Sequence, residues 1–288
     1  MITIDHYLNE KKNLIESWLV KLLPKADTYP QSIHQAMHYT LFAGGKRIRP
    51  ILAIACSESL GYDIEKVLPS ACALELIHTY SLIHDDLPAM DNDDMRRGKP
   101  SNHKVFGEAI AILAGDALLT YAFYIVSNSH GLKRLSPDIS LKIIQELSHA
   151  SGICGMISGQ VLDLEAEGKS INEKNLQNIH QYKTAQLFRA ATRIGSIPAT
   201  TEEEKIEQLS SYGYLLGLAF QIIDDLHDSA QESDKGNKKA TYPSVVGIEF
   251  AEKRSTELID QAVCALDSFD SRADILRELA QYIITRKN

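Results

Sequence analysis

The chain lacks what would build it around disulfides, zinc or a membrane. Its 288 residues hold four cysteines, Cys56, Cys72, Cys154 and Cys264, with no Cys-x-x-Cys pair and no zinc spacing among them. Scattered thiols of this kind are expected to pack as small hydrophobes in a reducing cytosol. Positive charge is not in excess either: the formal net charge is -8, which argues against a broad nucleic-acid surface. It does not exclude anionic substrates, because metal ions invert the local sign. The N-terminal stretch Met-Ile-Thr-Ile-Asp-His has neither the basic nor the apolar region of a signal peptide. The one long apolar run, Ala109 to Val126, is interrupted by Asp116 and flanked by Glu108, so a buried core helix is expected rather than a membrane span. Repeats, low-complexity tracts and long Gly/Ser/Pro linkers are absent. The expectation is a soluble cytoplasmic protein with no nucleic-acid partner.

Alternating Val/Ile/Thr patterns with Asn-Gly turns are also missing, and helix punctuation takes their place. Ser136-Pro137 reads as an N-cap and a first helical residue. Ser170-Ile-Asn-Glu173 and Thr201-Glu-Glu-Glu204 have capping-box spacing, and Pro50, Pro69, Pro100, Pro198 and Pro243 are expected near segment starts. From Glu65 to Asp86 apolar residues fill every helical face, which calls for a helix enclosed by others. Ala111–Tyr124 and Leu215–Asp225 read similarly. The fold class expected is all-α, one large antiparallel helix bundle with a central cavity, with residues 1–288 forming a single domain.

Two acidic clusters close apolar helical stretches: Asp85-Asp86-Leu-Pro-Ala-Met-Asp91 and Asp224-Asp225-Leu-His-Asp228. Carboxylates packed this closely repel one another and call for a cation. All-oxygen ligands select a hard divalent ion, and Mg²⁺ takes one or two carboxylates plus phosphate oxygens. Two such clusters facing each other would hold a phosphorylated substrate through metal. On a continuous helix Asp85 and Asp91 would lie roughly 120° apart, but Pro88 breaks the helix and lets the chain turn back. Asp224 and Asp228 are four apart, about 6 Å on one helix face. The plainer readings are a solvated acidic loop and a frayed helix end.

The basic groups are equally clustered. In Gly44-Gly45-Lys46-Arg47-Ile48-Arg49-Pro50 the glycines let backbone amides approach an anion, and Arg49 can grip phosphate bidentately. A simple C-cap explains that motif alone just as well. Arg96-Arg97 follow the first acidic cluster and can serve two phosphates, or merely balance Asp93 and Asp94. His78, Lys183-Thr184 and Gln221 are individually ambiguous between ligand contacts and satisfied core.

In order and spacing these motifs resemble the trans-isoprenyl diphosphate synthases, specifically the bacterial farnesyl diphosphate synthase type. The resemblance rests on Gly44–Pro50, His78-Thr-Tyr-Ser-Leu-Ile-His-Asp-Asp86, Asp91-Asn-Asp-Asp-Met-Arg-Arg-Gly98, Gly159-Gln-Val-Leu-Asp163, Tyr182-Lys-Thr184, Phe220-Gln-Ile-Ile-Asp-Asp225 and Lys239-Ala-Thr-Tyr-Pro243. It implies an isoprenoid-synthase bundle, a homodimer and three Mg²⁺ ions. Asp85 and Asp91 would ligate two metals and Asp224 the third, with Asp86, Asp225 and Asp228 in support. Arg96, Lys183 and Gln221 would hold an allylic diphosphate, Thr184 would orient the site, and Phe220 would line the allylic pocket. Lys46, Arg49, His78 and Arg97 would bind isopentenyl diphosphate without metal. Tyr80 and Ser81, one turn before Asp85, would set chain length, the Tyr80 ring stopping growth at farnesyl diphosphate.

Two departures stand out. His227 replaces an apolar residue inside the second motif, and the stretch from Ser229 to Lys239 is shorter than the family pattern. Lys235, Lys238 or Lys239 would have to supply its lysine, and Arg286-Lys287 would cap the isopentenyl site on closure. The alternatives are a geranylgeranyl diphosphate synthase on the same fold and a helical His-Asp phosphohydrolase built on His84-Asp85. A terpene cyclase and a non-enzymatic partner subunit are further rivals.

Overall fold

Helix accounts for 76% of the structure, against roughly a third in an ordinary globular domain, so the all-α expectation holds. A computed structural model describes residues 3–128, 135–231 and 240–285. In chain order the elements are α1 (Ile4–Leu22), α2 (Gln31–Leu41), α3 (Ile48–Ser59) and α4 (Ile64–Asp85), then a hairpin of β1 (Met95–Arg96) and β2 (Lys99–Pro100). Next come α5 (Asn102–Phe106), α6 (Glu108–Ser127), α7 (Pro137–Ser151), α8 (Met156–Ala166) and α9 (Glu173–His180). A π-helical turn, Gln181–Ala185, leads into α10 (Gln186–Ser196), followed by α11 (Glu203–Gln231), α12 (Tyr242–Val246), α13 (Ile248–Cys264) and α14 (Asp274–Thr285). Contacts divide the chain into two compact units. The first comprises Asp5–Ile51 and Glu65–Ile144; the second comprises Met1–Ile4, Leu52–Ile64 and Gln145–Asn288.

In the first unit α4 is buried on all faces, with Val67, Leu68, Leu74, Leu76 and Ile77 at 0% exposure. Each such side chain contributes about 1.5–3 kcal/mol of transfer free energy, which holds the helix down to the acidic residues at its C-terminus. Pro69 lies inside α4 rather than at its start, because this packing outweighs the one backbone bond its ring removes. The expectation for Ala109 to Val126 needs correction. One face of α6, including Ala111, Ala114, Gly115 and Leu118, packs on α2 and α5. The other leaves Ile112, Leu113 and Tyr124 about half exposed. By length and composition α6 is also long and apolar enough to cross a membrane.

In the second unit α11 is the organising helix, packed on α10 and α13. The buried Tyr212 hydroxyl donates to Leu276 O at 2.7 Å and fastens α11 to α14. Arg193 joins α10 to its neighbours, through Glu146 of α7 at 2.7 Å and through Glu207 of α11. Ser136 caps α7 as expected, accepting from Ile139 N at 3.3 Å. The two capping boxes do not form where their spacing put them. Asn172, not Ser170, caps α9 by accepting from Asn175 N at 2.9 Å, and Thr200 accepts from Glu202 N ahead of α11. At α9 the side chain next to the first helical residue takes the bond, whereas Thr200 closes a turn that ends before α11 begins. Cys56 and Cys72 are buried as expected, whereas Cys154 and Cys264 are exposed.

Candidate active site

The first unit carries two sets of chemically distinct groups. α4 ends at Asp85 and the chain reverses within six residues: Asn92 N donates to Leu87 O at 3.0 Å, and Asp91 N donates to Asp85 O at 2.9 Å. The fold-back expected from Pro88 is therefore present, and it brings the Asp91 backbone onto the helix end. Asp86 points the other way. It is 1% exposed and accepts from Arg96 Nη2 at 2.5 Å and Nε at 3.0 Å. Burial pushes the Asp86 carboxyl up from its ordinary value, and Arg96 only partly offsets this. Arg96 also reaches Asp93 at 3.2 Å, so the hairpin and the acidic loop are joined. Lys104 pairs with Asp94 at 2.7 Å on the other side of the loop.

The basic set lies in the same unit. Gly44 and Gly45 have φ of 102° and 130°, outside the range of ordinary L residues. Arg97 donates from Nη1 to Gly44 O, and a Cβ on Gly45 would fall 2.8 Å from the same nitrogen and push the guanidinium aside. Lys46 is exposed and Arg49 half-buried, whereas Arg47 is turned inward. His78 is held neutral. Burial first, then the surrounding charges of Arg49, Arg97, Arg47 and Arg96, push its pKa well below the usual imidazole value. A neutral ring still donates one N–H, as a diphosphate ligand requires.

Above the helix end, Tyr80 is 5% exposed, and its hydroxyl has no hydrogen-bond partner among the described residues. Its ring stands edge-on to His84 at 5.8 Å. Ser81 donates to His78 O at 2.9 Å. His84 Nε2 lies 3.0 Å from Ile112 O, and its ring fills a slot over Gly115, where a Cβ would come within 2.1 Å of it.

In the second unit Asp224, Asp225 and Asp228 lie inside α11, which continues to Gln231, so they do not form a frayed end. Asp225 is 7% exposed and fully engaged. Its Oδ1 accepts from Gln221 Nε2 at 3.0 Å, its Oδ2 accepts from Tyr242 N at 2.7 Å, and His180 Nε2 lies 3.3 Å away. Gln221 in turn accepts from Thr184 Oγ1 at 2.7 Å. Asp224 is half-buried and Asp228 exposed. The Lys183 ammonium donates to Asp163 at 2.6 Å. The Phe220 ring lies against that of Phe188, tilted by 46° with centroids 4.9 Å apart. Asp163, His180, Lys183, Thr184, Gln221 and Asp228 line a cavity of about 190 Å³.

Lys183 and Thr184 owe their placement to the π-turn, whose extra residue per turn displaces side chains from the α-helical register. Two glycines let neighbouring helices close on it. A Cβ on Gly159 of α8 would lie 2.2 Å from Lys183 N, and one on Gly217 of α11 would lie 2.7 Å from Ala185 Cα. Sequence reasoning gave no separate role to His180, Tyr242, Arg47 or Glu75, although Arg47 and Tyr242 lie inside the motifs Gly44–Pro50 and Lys239–Pro243 and His180 sits beside Tyr182-Lys-Thr184.

Among the described residues no three His, Cys, Asp or Glu side chains converge as a closed metal cage. The donor chemistry suits magnesium nonetheless, since that ion takes one or two carboxylates and completes its shell with phosphate oxygens and water. Lys235, Lys238, Lys239, Arg286 and Lys287 lie outside the described residues.

Comparison with known proteins agrees with this chemistry. The family described as polyprenyl synthetase matches residues 30–279. The chain is 41% identical to a farnesyl diphosphate synthase from Geobacillus stearothermophilus over 99% of its own length and 98% of the relative's. It is 44% identical to a geranylgeranyl diphosphate synthase from Cyanophora paradoxa, covering 98% and 96% of the two chains. The apo crystal structure of an FPP/GFPP synthase from Zymomonas mobilis superposes with a TM-score of 0.89 at 38% identity, over 98% of both chains. The His-Asp phosphohydrolase alternative falls on these matches. With a match that runs over most of its length, the chain belongs to the polyprenyl synthetase family.

Proposed function

We propose that the chain is a prenyltransferase that joins isopentenyl diphosphate to dimethylallyl and then geranyl diphosphate, releasing (2E,6E)-farnesyl diphosphate. The observation that carries this reading is the bond from Arg97 to Gly44 O, which joins Arg97 to the loop carrying Lys46 and leading to Arg49, in the same unit as His78 on the helix that ends in Asp85. A substrate that keeps its diphosphate can be held by such cations directly, and one that loses it gains from metal held by carboxylates, which neutralises the leaving group.

Lys46, Arg49, Arg97 and neutral His78 hold isopentenyl diphosphate through charge-assisted hydrogen bonds. Asp85 and Asp91 would hold two Mg²⁺ and Asp224 the third, with Asp86, Asp225 and Asp228 in support. When bound, Mg²⁺ neutralises the charge that develops on the leaving pyrophosphate. Arg96, Lys183 and Gln221 hold the allylic diphosphate, and Thr184 fixes Gln221 through its 2.7 Å bond. The allylic C–O bond ionises, the isopentenyl double bond attacks the resulting cation, and the departing pyrophosphate takes the proton. Phe220 lines the allylic pocket and helps exclude the water that would quench the cation.

Tyr80 carries the product assignment. Its ring, one turn before Asp85 and pressed against His84, stops the growing chain at fifteen carbons, with Ser81 beside it. Geranylgeranyl diphosphate is the competing product, as the name of the Cyanophora relative indicates. The chain acts as a single domain, in keeping with the unbroken family match. It works as a cytoplasmic homodimer. The exposed Ile112, Leu113 and Tyr124 of α6 support self-association, which light scattering checks. Incubation with Mg²⁺, dimethylallyl diphosphate and isopentenyl diphosphate, followed by chain-length analysis, tests the whole reading. Fifteen-carbon product supports it; pyrophosphate release without a new carbon–carbon bond refutes it.

A further inference from the structure

Three cations follow Gly44-Gly45, and the middle one behaves unlike the others. Arg47 is 2% exposed, with a left-handed backbone at φ 53° that an arginine adopts only under constraint. Its Nη1 donates to Glu75 at 2.6 Å and its Nη2 to Leu41 O at 2.6 Å, while Glu16 lies 3.6 Å from Nε. Both side chains of the Arg47–Glu75 pair are at most 2% exposed. A buried ion pair is a poor route to stability, since well-packed apolar residues usually do as well. Strain and desolvation therefore coincide at one residue, and the useful product is shape.

That shape is specific. Through Leu41 O, Arg47 holds the last carbonyl of α2; through Glu75 it ties the loop to α4, one turn before His78. Arg97 holds the same loop at Gly44 O. The loop between α2 and α3 is thus fixed at three points, with Lys46 and Arg49 on either side of the inward arginine. The Arg47 guanidinium faces Glu75, Leu41 and Glu16, so it is not itself a phosphate ligand.

We propose that Arg47 and Glu75 are positioning residues that hold Lys46 and Arg49 in the conformation that grips isopentenyl diphosphate. This rests on the isopentenyl assignment above. The test is the paired replacement R47M/E75L, which removes both charges without stranding either, with the single variant E75Q and the reference variant K46A. Two readouts are needed: calorimetric titration with isopentenyl diphosphate in chelator, and the KM for each substrate. The paired variant should melt cooperatively yet bind isopentenyl diphosphate roughly tenfold more weakly, as expected when charge-assisted bonds lose alignment. Its isopentenyl KM should rise with the allylic KM unchanged. E75Q, nearly isosteric, should show the same split if the paired variant does not fold. Wild-type affinity in the paired variant, or equal rises in both KM values, would overturn the proposal. Loss of binding in K46A beside wild-type affinity in R47M/E75L would overturn it while leaving the isopentenyl assignment intact. No binding by the wild type would remove both.

Discussion

Gly159→Ala is a substitution whose effect can be worked from distances. Its Cβ would lie 2.2 Å from Lys183 N, 2.4 Å from Lys183 Cα and 2.7 Å from Lys183 Cβ. Ordinary contact begins near 3.4 Å, so the two backbones must separate by about 1.2 Å. The π-turn cannot simply retreat, because Gly217 of α11 already abuts Ala185 on it. The shift therefore passes into Lys183 and Thr184, and from Thr184 to Gln221 and Asp225. A misplacement of about 1 Å in a substrate-positioning group costs on the order of 10²-fold in rate. Overpacking costs about 1–3 kcal/mol, partly offset by the roughly 1 kcal/mol that alanine gains over glycine within a helix. The expected outcome is a folded protein, its melting temperature lowered by a few degrees, with kcat for geranyl diphosphate condensation down about a hundredfold. Steady-state kinetics beside a thermal melt decide it. A folded variant with kcat within about threefold of wild type would show that the π-turn does not set the rate, and the reasoning would fail.

Tyr80→Phe removes a buried hydroxyl that has no partner among the described residues, so stability should rise by about 1 kcal/mol with the product unchanged. Tyr80→Ala should shift product toward twenty carbons in a chain-length assay; an unchanged fifteen-carbon product would place the floor elsewhere. Chelation with EDTA should abolish turnover but leave isopentenyl diphosphate affinity in calorimetry unaltered, since the ligands proposed for it, Lys46, Arg49, His78 and Arg97, are cations and a neutral imidazole rather than carboxylates. For His78 the folded pKa lies well below the ordinary 6.5, so below that pH the unfolded chain binds the extra proton. Its contribution is therefore absent above pH 6.5, and stability falls as pH drops further, by at most about 1.4 kcal/mol per unit. Denaturant melts of His78→Asn should show a flatter acid limb than wild type.

The sequence made the chemistry legible where it was local. The Asp85–Asp91 fold-back followed from Pro88, the i,i+4 geometry of Asp224 and Asp228 from helix periodicity, and the enclosure of α4 from apolar residues on every face. What stayed hidden depended on distant partners. Lys46, Arg47 and Arg49 are indistinguishable as written; Glu75, 28 residues away, decides which one turns inward. Gly159 could be read as part of a motif but not as the point where α8 meets the π-turn. The run over α6 was misjudged because composition gives how apolar a helix is, not whether its own chain covers it. The two capping boxes failed for a smaller reason: Asn172 takes the cap of α9 two residues after Ser170, and Thr200 ties the turn before α11 through Glu202 N.

Among the described residues, every non-glycine with a left-handed backbone, Arg47, Asn92 and Arg97, sits in the loops that carry the proposed ligands. Each such residue costs about 1–2 kcal/mol relative to ordinary backbone geometry, and glycine would remove that penalty. At Arg47 and Arg97 it would also delete a guanidinium. At Arg47 glycine would strand the Glu75 carboxylate in the interior, a loss of about 3–5 kcal/mol that exceeds the backbone penalty it removes. Any effort to thermostabilise this protein should exclude these loops from its library and look to the caps and the second unit instead.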